Sequence, residues 1–186
     1  MKKFLFPLML LAVLPACGTS NDAHFLIAPA PAEPSVRLQA QTIEMRMVSL
    51  PAYAAASEIF AQSPDGALYA QGNALWADDP VRGITAALAR GLSERTRSSV
   101  TMEPWPLNNG PDARIDVRVD QIYARADGSF EMSGQFAVSS PGGTTREFVR
   151  RFDIRTPVSG EGPAAISGAL ATALSRLSGE IAAAMS

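Results

Sequence analysis

Three observations in this chain predict an α/β (α+β) domain: two stretches with apolar residues at three- and four-residue spacing, several stretches alternating apolar and polar residues, and turn residues between them. Their order, one helix amid strands and one at the end, suits a two-layer sandwich, with a mostly antiparallel sheet carrying two long helices on one face. Each helix has a single greasy stripe, which it can bury against a sheet while its other side stays wet.

The strands begin at Phe25-Leu26-Ile27, ahead of an extended connector imposed by Pro29, Pro31 and Pro34. Alternation then runs Val36, Leu38, Ala40 and changes phase to Ile43, Met45, Met47, as a bulge or two consecutive short strands require. Glu58-Ile59-Phe60-Ala61 and Ala67-Leu68-Tyr69-Ala70 flank Pro64-Asp65-Gly66, a hairpin signal. The first helix takes Asp78 or Asp79 as cap, Pro80 at its first position, and Val81, Ile84, Leu88 and Leu92 as its buried stripe. A meander follows: Ile115, Val117, Val119; then Phe130 to Val138 after Asp127-Gly128; then Phe148, Phe152, Ile154 after Pro141-Gly142-Gly143. The second helix opens near Pro163 and aligns Ile166, Leu170, Leu174, Leu177, Ile181 and Met185.

Residues 1–16 read as targeting and not as structure. Lys2 and Lys3 precede the apolar run Phe4 to Leu14, and Leu14-Pro15-Ala16 leads to Cys17, the only cysteine, as in a bacterial lipoprotein signal. About 13 apolar residues reach only ~20 Å as a helix, short of a hydrocarbon core about 30 Å thick. An ordinary secretory signal with a surviving thiol is the alternative, but an exposed free thiol is a liability outside the cytosol, and acylation removes it. The chain thus divides into a signal (1–16), a tether lipidated at Cys17 (17–23) and one domain (24–186).

Without the signal the chain holds 14 arginines, no lysine and 18 acidic residues, a formal charge near −4. That balance argues against nucleic acid and against a polybasic membrane patch. No cysteine pair exists for a disulfide or a thiolate zinc site. His24 is the only histidine and reads as a surface or strand-edge residue, and no Gly-x-Ser-x-Gly elbow is present. Asp116, Asp120 and Asp127 fall on the wet face of strands or in a turn. No enzyme signature, metal site or cofactor site emerges. Arg146, Arg150, Arg151 and Arg155 cluster late in the chain, either to pair across strands with Asp116 or Asp120 or to form a polar docking surface. Tyr53, Trp76 and Trp105, with Pro51, stand outside any periodic pattern. They are candidate partner-binding residues, or else caps on the ends of the core.

His24-Phe25-Leu26-Ile27, Leu50-Pro51-Ala52-Tyr53, Glu58-Ile59-Phe60, Leu75-Trp76-Ala77-Asp78 and Arg114-Ile115-Asp116-Val117-Arg118-Val119, in that order, resemble the PqiC/YmbA-type ABC-transport auxiliary lipoproteins. The chain departs from the family where Ala54-Ala55 replaces a common Leu-Asp pair and Asp79-Pro80 shortens the approach to the helix. The resemblance implies a non-catalytic, periplasm-facing lipoprotein that supports membrane integrity. It would act with a mammalian-cell-entry (MCE) domain protein, an inner-membrane permease and an ATPase in phospholipid transport, docking or receiving the conduit. Gly18 after the cysteine is no retention aspartate, so the outer membrane is the expected destination, and assembly into a homo-oligomer is left open. The alternative is an outer-membrane assembly lipoprotein that plugs or chaperones a β-barrel.

Overall fold

A computed structural model describes residues 22–27 and 36–186. The signal, Cys17 and the proline connector lie outside them.

Strands β1 (Ala23–Phe25), β2 (Thr42–Met45), β3 (Glu58–Gln62) and β4 (Leu68–Trp76) precede helix α1 (Pro80–Arg95). Then come β5 (Ser99–Met102), the meander β6 (Ala113–Ala124), β7 (Ser129–Ser139) and β8 (Phe148–Pro157), and helix α2 (Gly162–Met185). Asp79 caps α1, its side chain accepting from the Arg82 N–H at 2.8 Å, with Pro80 next. The stripe residues Ile84, Leu88 and Leu92 are buried, as are Ile166, Leu170, Leu174, Leu177, Ile181 and Met185 of α2. The helices approach closely because position 91 is glycine: a Cβ there would stand 2.6 Å from the Ser178 hydroxyl oxygen.

The expectation of a mostly antiparallel two-layer sandwich needs correction, because the sheet is mixed and curled. β3/β4, β6/β7 and β7/β8 are antiparallel, but β1/β4, β2/β5, β2/β6 and β3/β6 are parallel. β2 and β3 both approach β6 along its own direction, and the stretch through β3, β4 and α1 supplies the long crossover that carries the chain from β2 to its parallel neighbour β5. α2 touches β1 and β4 as well as β7 and β8, strands at opposite ends of the path β1-β4-β3-β6-β7-β8, so the sheet wraps around it. The four-residue β5 is a strand that the alternation did not reveal.

β6 is the branch point. β7 pairs with it along its whole length, with one shift between Val119 and Gln121 that leaves Asp120 as a bulge. Gly134 faces that bulge, where a Cβ would lie 2.1 Å from the Arg118 carbonyl oxygen. The other edge of β6 is shared by several short segments, first β2 and finally β3.

Candidate functional site

Between β2 and β3 the chain must leave β6 and return to it. The Arg46 N–H donates to the Ile115 carbonyl, the Ser49 N–H to Val117, and the Val119 N–H to Ser49, each at 2.9 Å. Beyond Ser49 the segment turns away, with the Pro51 carbonyl accepting from the Ala54 N–H at 2.9 Å and the Ala55 N–H at 3.1 Å. That turn swings Tyr53 back over β6, and its hydroxyl accepts the Ile122 N–H at 3.1 Å. Two residues later β3 takes over at Ala124. The tyrosine side chain therefore supplies the rung that the backbone leaves empty, which satisfies a donor that would otherwise be costly to bury. Burial pushes its phenol above the ordinary value, with the Ile122 N–H pulling the other way.

The Tyr53 ring stands edge-on to Phe60, centroids 6.4 Å apart at 77°. Together with Trp76, Ile84, Ile122, Phe130 and Ile166, these rings line a narrow apolar crevice of about 30 Å³, where both helices begin. Trp76 ends β4, donates its backbone N–H to the Ser57 carbonyl at 2.7 Å, and lies beside Phe25 of β1. Its ring is half-buried, and its indole N–H has no hydrogen-bond partner among the described residues.

Of the sequence candidates, Tyr53 and Trp76 are thus brought together, and Pro51 shapes the turn that carries Tyr53. Trp105 does not line the crevice. It sits in the β5–β6 loop, and its indole N–H closes that loop on the Asn109 carbonyl at 2.5 Å. His24 is exposed on β1, and among the described residues no three His, Cys, Asp or Glu side chains gather as a metal site.

The arginine cluster divides. Arg151 pairs with Asp120 at 3.5 Å, as cross-strand pairing requires. Arg155 instead reaches Glu131 at 3.2 Å, and Asp116 pairs with Arg118 of its own strand. Glu131 is the functional-looking carboxylate that sequence reasoning passed over: it is buried and also takes Arg125 at 2.6 Å. It falls between Phe130 and Met132, the phase in which strand alternation places a residue on the wet face. Two guanidinium groups compensate its burial, which makes it a structural ion pair. Arg146 and Arg150 pair with no acid among the described residues.

A family model described as "ABC-type transport auxiliary lipoprotein component" matches residues 25–182. No curated protein matches the chain. A crystal structure of an uncharacterized protein is similar at 21% identity and a TM-score of 0.69, covering 86% of this chain and 100% of the other. Protein XCC0632 from Xanthomonas campestris, of the family DUF330, is 18% identical with a TM-score of 0.61, covering 87% of this chain and 91% of its own. At such identities the likeness is one of fold. Among the described residues no helix is long and apolar enough to cross a membrane.

Proposed function

Because the chain belongs to the family of ABC-type transport auxiliary lipoprotein components, we propose that it is the non-catalytic lipoprotein of an MCE-type phospholipid transport system, anchored through Cys17 in the outer membrane and docking the periplasmic conduit. The observation that carries this reading is the crevice end of the domain. There Trp76, whose indole N–H has no hydrogen-bond partner among the described residues, lines an apolar cleft beside β1. Amphipathic rings so placed are the usual anchors of protein interfaces. Pro51 and Tyr53 belong to the same end and give it shape, whereas Trp105 would act from a separate loop.

A photo-crosslinking residue at position 76, in cells, tests this. An adduct with an MCE-domain protein is expected. A β-barrel as the sole adduct, or none, overturns it. The anchor is tested separately: Cys17→Ser should shift the protein from the membrane fraction to a soluble form or an uncleaved precursor. A fully processed variant still bound to membranes would show that acylation is not what localises it.

A further inference from the structure

The other end of the molecule, where α2 stops, carries an open groove of about 430 Å³ that the reading above does not use. Arg37 lines it from the segment before β2, and Arg146 and Arg150 line it from the approach to β8 and its start, and all three are exposed without an ion pair among the described residues. Arg150 lies over the Phe148 ring at 5.3 Å, and Val149, 64% exposed, adds apolar surface. Among the described residues no acidic side chain lines the groove. Glu147, beside Arg146, is turned away to accept the Ser140 N–H at 2.8 Å. The C-terminal end of α2 brings partial negative charge, yet none of the three arginines makes salt-bridge contact with the carboxylate of Ser186.

We propose that this groove docks an acidic, extended segment of a partner protein. Three unpaired guanidinium groups around one recess are complementary to carboxylates, which they can hold through paired N–H donors. The recess is concave, so a flat bilayer surface cannot enter it, while an extended chain can. A single phosphate would leave most of the volume empty. The apolar surface between the arginines suits side chains alternating with the acids, as in the mixed core and rim of protein interfaces.

The test is fluorescence anisotropy of a labelled peptide alternating glutamate and leucine, titrated with the full chain in neutral detergent. Binding is expected that weakens with salt, falls at least tenfold in Arg150→Glu and in Arg37→Glu, and falls less in Arg150→Gln. Arg90→Glu, which reverses an exposed charge on α1 away from the groove, should bind as wild type, and unchanged melting temperatures certify the fold of each variant. The proposal is overturned if the peptide does not bind, or if Arg90→Glu loses as much as Arg150→Glu. It is equally overturned if phosphatidylglycerol vesicles, or a second copy of the chain, engage these arginines and the peptide does not.

Discussion

Where both helices begin, aromatic rings close around a crevice of about 30 Å³; where α2 stops, three unpaired arginines surround an open groove of about 430 Å³. The first end resembles a binding site by residue type, yet its most conspicuous member, Tyr53, is committed to holding β6. The second drew notice in the sequence only as part of an arginine cluster, yet its charges have no ion-pair partner among the described residues. What separates the ends is whether their polar groups are already satisfied. A ring or charge with its hydrogen bonds made inside the domain stabilises the fold, and one without them is available to something else.

The largest effect should come from the core that both ends share. Leu174→Asp, or Leu88→Asp, buries an unpaired carboxylate and should cost several kcal/mol, measured as a large fall in melting temperature or failure to fold. Wild-type melting would mean that the helices do not pack as described. Trp76→Ala comes next. Its ring is half-exposed, so it should lose roughly half of the 3 to 5 kcal/mol of a buried aromatic and also fail to capture the MCE-domain partner in a pull-down at low temperature. Intact capture despite early melting would make Trp76 a core cap and leave the crevice end purely structural. Tyr53→Phe keeps the ring and removes the acceptor of the Ile122 N–H, for about 1 to 2 kcal/mol by denaturant titration. A neutral result would show that the rung contributes nothing. Arg150→Glu should stay within about 0.5 kcal/mol of wild type, since it breaks no contact that the fold needs. A larger destabilisation would place that arginine on the same footing as Tyr53.

Both helices were legible in the sequence because their signals are local: Asp79-Pro80 starts one, and three- and four-residue spacing runs through each. The meander β6–β8 was legible for the same reason. Four-residue β5, Ser99–Met102, was not, since it follows α1 at once and is too short to show alternation. Nor was the parallel pairing of β2 and β3 with β6, because alternation reports which face a residue occupies and is silent on which strand lies beside it. The crevice was half-legible. Flanking prolines and broken periodicity picked out Tyr53 and Trp76, but the bond from Tyr53 to Ile122 joins residues 69 apart, and no nearby pattern encodes it. The same two cues picked out Trp105, whose loop binds it to itself.

The branch at β6 also orders the molecule in time. Along β7 the strand is held by a ladder broken only at the Asp120 bulge, with a neighbour only a turn away in sequence, whereas its far edge depends on β2, Ser49, Tyr53 and β3 arriving in succession from far earlier in the chain. Contacts that close short loops form first, and distant ones follow once a template exists. The meander should therefore be the template and residues 42–61 the late arrivals. In native-state hydrogen exchange the Ile122 amide, whose acceptor is a side chain, should exchange with the early-opening N-terminal half, while Met132, one strand away, holds out until the whole domain unfolds.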